Sequence, residues 1–138
     1  MALRRVHAAA AVLLTVAIVV QVFLAGLALA QLGGSGDFST HIEFGYTWVG
    51  LASLVLLVTA LLARRRRRDV GICAGLLGLY VLQTILPAAR GSMPWVAALH
   101  PVNAMVMFAL AAWYARRALA AIDRSSVETP VTSDQAPA

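Results

Sequence analysis

Arg64-Arg65-Arg66-Arg67-Arg68-Asp69 divides two apolar stretches, Ile42 to Ala63 before it and Val70 to Leu86 after it. Five adjacent guanidinium groups cannot enter hydrocarbon, and the flanking stretches are long and apolar enough to avoid water. A basic run can also serve as a nuclear signal or a nucleic-acid patch. Between two such flanks it reads instead as a tight turn joining two membrane-spanning helices, held in the cytoplasm by the positive-inside rule.

The rest of the 138 residues agrees with a membrane solvent. Hydrophobic residues make up 61% and charged residues 12%, and the mean hydropathy is +0.82; soluble domains carry about 25% charged residues. The net charge of +5 comes from arginine alone, as the chain has no lysine. Counting spans outward from the arginine run places Arg4, Arg5, Arg64 to Arg68, Arg116, Arg117 and Arg124 on one side, with only Arg90 on the other. Both termini are therefore expected in the cytoplasm, with the protein a multi-pass resident of the inner (plasma) membrane of a bacterial cell. A nucleic-acid partner is not expected, since no exposed basic domain with stacking aromatics is present. Cys73 is the single cysteine, which rules out an intrachain disulfide and suits a small packing residue.

The expected fold is all-α, an integral membrane up-down-up-down four-helix bundle. Residues 1–7 form a cytoplasmic N-terminus and 8–122 the transmembrane domain, with spans at about 8–32, 41–63, 70–86 and 95–115; residues 123–138 form a disordered cytoplasmic tail, polar and containing two prolines. Ala28-Leu29-Ala30 resembles a signal-peptidase site, but the apolar run before it exceeds the length usual for a signal peptide, so the first span is expected to be retained. Gly33-Gly34-Ser35-Gly36 turns the chain outside, and Ser39 or Thr40 is positioned to cap the second helix. Gly71, Gly75 and Gly78 share one face of the third span, a surface for close contact with a membrane partner or a second copy.

The chain carries a weak internal repeat. Gln21 lies in the first span and Gln83 in the third, and each is followed by a returning helix that opens on a histidine, His41 or His100, after 20 and 17 residues. Two similar hairpins related by an axis along the membrane normal account for this. Histidines in spans are candidate functional residues. His7, in the basic N-terminal flank, is expected only to be solvated at the interface. His41 and His100 begin helices that can face each other diagonally, and six-coordinate heme iron takes imidazole nitrogens from opposite sides. Gly45, one turn after His41, would leave room for a flat macrocycle; Asn103, Ala104 and Met107 continue the face of His100. Gln21, Gln83 and Asn103 are candidates to hydrogen-bond the bound group or its ligands. Counted from the inner ends of their spans, the two histidines differ in depth by roughly 10 Å. The difference closes if Pro101 opens the fourth helix and that helix continues to Ile122. A zinc site lacks a third and fourth ligand.

These residues also resemble a known family. Val20-Gln21-Val22-Phe23-Leu24-Ala25-Gly26-Leu27, the glycine loop, His41, Leu82-Gln83-Thr84-Ile85-Leu86, and Ala98-Leu99-His100 running to Arg116-Arg117 look like one four-helix half of heme A synthase. The resemblance covers about residues 12–117. It implies a bundle with His41 and His100 as paired axial ligands to b-type heme. The family places a glutamate shortly before the histidine of its second helix and an arginine just after it; here Asp37 is the nearest preceding acid and Ile42 follows. With one half only, heme A synthesis by this chain alone is not expected. The chain is also similar in size and layout to small uncharacterised four-span bacterial membrane proteins. Two functions stand as expectations: a small heme protein for electron transfer or heme handling, or a heme-free membrane interaction protein. A proton-coupled exporter is not expected, since no span carries a deep carboxylate.

Overall fold

The computed structural model describes residues 2–127. Four helices dominate it: α1 (Ala2–Ala28), α2 (Ser39–Leu62), α3 (Arg67–Ile85) and α4 (Leu99–Val127). Each belongs to a helical segment long and apolar enough to cross a membrane. The side chains facing away from the bundle are themselves apolar, among them Leu13, Phe23, Leu54, Leu61 and Val106. In water such a surface would aggregate; in lipid it is the solvated face. No strand occurs among the described residues. The chain therefore folds as an all-α multi-pass membrane bundle.

Adjacent helices pack around a ring, α1 on α2, α2 on α3, α3 on α4 and α4 back on α1. His41 on α2 and His100 on α4 thus face each other across the diagonal. Leu14, Leu56 and Leu76 are fully buried at the centre, with Met107 and Ala111 beside them. Of the tail expected to be disordered over 123–138, residues 123–127 instead continue α4 as helix, and those from 128 onward lie outside the described residues.

The turns result from local chemistry. Gly33 (φ 83°) and Gly36 (φ 78°) adopt the left-handed backbone that the loop between α1 and α2 requires. The start of α2 is capped from further upstream than expected. Asp37 Oδ1 accepts the Ser39 backbone N–H at 2.8 Å and Oδ2 accepts the Ser39 hydroxyl at 3.0 Å. The Ser39 backbone N–H, and then its hydroxyl, hold the Asp37 carboxyl below the ordinary aspartate value.

The arginine run is a tight turn whose side chains divide. Ala63 ends α2, and Arg64 takes a positive φ of 48°. The Arg65 N–H reaches Ala60 O and the Arg64 N–H reaches Leu61 O, both at 3.0 Å, which is the Schellman closure of a helix. Arginine occupies the position where glycine is usual. Arg65 then folds inward. Its guanidinium lies 3.3 Å from the carboxylate of buried Asp69, which Arg117 of α4 approaches at 3.5 Å. Arg64, Arg66, Arg67 and Arg68 remain exposed.

The third segment continues past Pro87 as a 3-10 helix, Leu86–Gly91, and a short helix Pro94–Ala97 precedes α4. Pro101 lies in the first turn of α4, where its missing N–H costs no helical hydrogen bond. Helix α4 then runs unbroken to Val127. That extra length lifts His100 to the level of His41, and the two ring centres are 6.3 Å apart.

His7 departs from expectation. It is not solvated at an interface but 1% exposed, packed inside the bundle. Its Nδ1–H donates to Thr59 Oγ1 at 3.0 Å, since the Thr59 hydroxyl proton is already given to Leu56 O. Its Nε2 accepts the Tyr114 hydroxyl at 2.8 Å. The Cys73 thiol is buried beside the Tyr114 hydroxyl. One residue from each of the four helices meets in this first polar layer.

Candidate functional site

A second polar layer is built from one short pattern used twice. In the first hairpin, the His41 Nδ1–H donates to the backbone oxygen of Gln21 at 3.0 Å, and the Gln21 amide N–H approaches His41 Nε2 at 3.2 Å. In the second, the His100 Nδ1–H donates to the backbone oxygen of Gln83 at 3.1 Å, and the Gln83 amide approaches His100 Nε2 at 3.2 Å. A carbonyl oxygen can only accept, so the proton of each ring sits on Nδ1 and the lone pair on Nε2. Each glutamine therefore fixes both the tautomer and the orientation of its histidine.

The correspondence extends along both helix pairs. His7, Ala11, Leu14, Ile18 and Gln21 of α1 match Asp69, Cys73, Leu76, Tyr80 and Gln83 of α3, each 62 residues further on. Between α2 and α4 the offset is 59 residues at His41 and His100. It becomes 58 for Val49, Ser53, Leu56 and Ala60 against Met107, Ala111, Tyr114 and Ala118. All eight of these side chains are buried. The lost residue is explained by Gly45–Val49, which form a π-helix inside α2. A π-turn absorbs one extra residue without rotating the helix downstream of it. Tyr80 supports it by donating its hydroxyl to Tyr46 O at 3.3 Å. A Cβ on Gly50 would come within 2.5 Å of that hydroxyl.

The two halves of the site differ in what holds the glutamine. Asn103 Nδ2 donates to Gln83 Oε1 at 2.6 Å and to Leu79 O at 2.9 Å. Gln21 Oε1 is buried and has no hydrogen-bond partner, while Gln21 Nε2 donates also to His41 O at 2.9 Å. Gly45 stands where the first half needs space: a Cβ there would lie 2.6 Å from Gln21 Nε2. The volume beside Gly45 is thus occupied by the Gln21 amide. Ala104 and Met107 come after Asn103 down α4, Ala104 lining a cleft and Met107 buried in the core.

Two clefts meet at these four polar residues. One, of about 590 Å³, opens between α1 and α4 against Ile18, Val22, Ala104 and Phe108. The other, of about 170 Å³, lies toward α2 and α3 against Ile42, Val49, Tyr80 and Pro87. Gln21, His41, Gln83 and His100 line both. They form a slot through the bundle with apolar walls, and neither cleft is lined by a cationic side chain.

Among the described residues no group of three or more His, Cys, Asp or Glu side chains is placed to hold a metal ion. Two imidazoles make half a coordination shell. Such a donor set fits a metal whose other ligands arrive with it, as in a metallated macrocycle, and does not fit a bare zinc ion. With metal–nitrogen distances of about 2 Å, two axial imidazoles have ring centres roughly 6 Å apart. The 6.3 Å between His41 and His100 meets that spacing. Gly71, Gly75 and Gly78 lie on the exposed face of α3, with open space around each.

The fold and this layer define a small multi-pass membrane protein built from two similar hairpins, with a polar site inside one end of the bundle. A family model described as a family of unknown function (DUF6220) matches residues 21–89, half of the chain, and the chain belongs to that family. The matched segment holds Gln21, His41 and Gln83 and ends before His100. No curated protein and no solved structure matches the chain.

Proposed function

We propose that the protein binds b-type heme between His41 and His100, for electron transfer or heme handling in the membrane. The carrying observation is the pair of diagonal imidazoles, 6.3 Å apart, each with its proton on Nδ1 and its Nε2 met only by a glutamine amide, set between two apolar clefts. His41 and His100 would hold the iron. Gln21 and Gln83 orient the rings through their backbone oxygens, and Asn103 steadies Gln83. The bound group would supply one-electron chemistry; the apolar walls would exclude water from it. The resemblance to one half of heme A synthase adds to this reading. With ten of eleven arginines on one side, the site belongs at the outer, periplasmic level of a bacterial inner membrane, with both termini in the cytoplasm.

The test is an absorption spectrum of the full-length protein in detergent after hemin addition, oxidised and then reduced. A Soret shift with sharp reduced α and β bands, weakened by His41→Ala and by His100→Ala, is the expected result. A spectrum identical to hemin in detergent sinks the reading.

A second reading, a heme-free membrane interaction protein, is favoured by the exposed Gly71, Gly75 and Gly78 face of α3. Small residues on a lipid-facing surface allow a partner helix to approach closely. Gly75→Leu would then reduce recovery of a partner or of a dimer after crosslinking.

A further inference from the structure

We infer that Gln21 and Gln83 act as two unequal latches on the histidine lone pairs, so that His41 is released to a ligand before His100. The inference rests on the heme reading for the identity of the ligand, but not for the latch itself.

Any metal or electrophile reaching Nε2 of either ring competes with a glutamine N–H already 3.2 Å away. Ligation therefore requires the amide to swing aside while the Nδ1–H bond to the glutamine backbone stays in place. The cost of that swing differs between the halves. Moving the Gln83 amide breaks the 2.6 Å bond from Asn103 and deprives the Asn103 amide of one of its two acceptors. Moving the Gln21 amide breaks its 2.9 Å bond to His41 O but none at Oε1, which has no partner to lose. The His41 backbone oxygen that it leaves still accepts the Gly45 N–H within the helix. A displaced Gln21 also gains the chance to satisfy its buried Oε1, and an unsatisfied buried acceptor is costly. His41 is thus the first ligand, and His100 closes the second position.

Gly45 sets the first latch. A methyl group at this position would meet the far end of the flexible Gln21 side chain, not backbone. Gly45→Ala is therefore a means of opening the latch on His41 while leaving both ligands and both glutamines in the chain. Its role is to position Gln21.

Diethyl pyrocarbonate reacts with an unprotonated imidazole nitrogen, and its rate at each histidine can be read by peptide mass spectrometry. On full-length protein before hemin is added, His41 is expected to react several-fold faster than His100, with buried His7 as the slow reference. Gly45→Ala should raise the His41 rate about fivefold, the worth of one net hydrogen bond, and leave His100 unchanged. Asn103→Ala should bring the His100 rate toward that of His41. In hemin titrations Gly45→Ala should tighten binding by a similar factor, and His100→Ala should retain more affinity than His41→Ala. If Gly45→Ala does not fold, Gln21→Leu removes the same amide. Equal rates at the two histidines, or no response to either Gln21-directed variant, overturn the latch. If hemin does not bind while the reagent rates keep the expected order, the heme reading fails and the latch stands.

Discussion

His7 of α1 and Asp69 of α3 are structural counterparts: each lies 14 residues before the glutamine of its own hairpin, and each is buried at the same end of the bundle. One is hydrogen-bonded on both ring nitrogens; the other is paired with two arginines. The same backbone position thus serves two kinds of polar anchor.

Tyr114→Phe removes the donor to His7 Nε2 and leaves that buried nitrogen unpaired. A loss of about 1–3 kcal/mol is expected. It should appear as a lower melting temperature of the detergent-solubilised protein, with the Gln–His pairs undisturbed. An unchanged melting temperature would show that the nitrogen finds another partner.

Asp69→Asn leaves Arg65, whose side chain is 14% exposed, without its counter-charge. Breaking a buried pair costs about 3–5 kcal/mol. Arg117 is 39% exposed and contributes a screened, smaller share. The expected net destabilisation is therefore below that range but larger than for Asp37→Asn. Parallel thermal melts of the two variants decide this.

The π-turn makes a distinctive prediction about deletions. Removing exposed Thr47 should convert Gly45–Val49 to ordinary α-helix and give α2 the register α4 already has. Removing Leu54, beyond the turn, should instead rotate one end of α2 by about 100° against its neighbours. Size-exclusion chromatography of the two deletions should give a monodisperse peak for the first and aggregate for the second.

The cap on α2 depends on pH. Asp37 has a carboxyl pKa depressed by the Ser39 donors, so its contribution is complete above the unfolded aspartate value and fades as pH falls through the lowered folded value. Hydrogen exchange at the Ser39 amide should therefore accelerate relative to the mid-α2 amides as the solution is acidified through that window. Asp37→Ala should show the fast rate throughout. Protection that does not respond to Asp37→Ala would remove the carboxylate from the cap.

Much of this architecture can be read from particular residues. The arginine run and its apolar flanks specify the α2–α3 turn, and the recurrence of Gln21 and His41 as Gln83 and His100 specifies which side chains meet. His7 is harder to place, because Arg4 and Arg5 beside it suggest an interface. The usable signal is its spacing to Gln21, equal to that of Asp69 to Gln83, supported by small Ala8, Ala10 and Ala11 that let neighbouring helices close over it. The π-turn leaves only an offset that changes by one residue between two apolar helices of unlike sequence. Asn103 is legible as a neighbour of the site, but its bond to Gln83, and the missing bond at Gln21, depend on packing that spacing does not encode.

Between the two polar layers lies a stratum of Leu14, Leu76 and Met107, each no more than 2% exposed. It is an insulator inside the protein as lipid is outside it, so an electric field across the bilayer falls largely within it. Polar ligands will consequently reach His41 and His100 from the end of the bundle nearest to them and not through the opposite one.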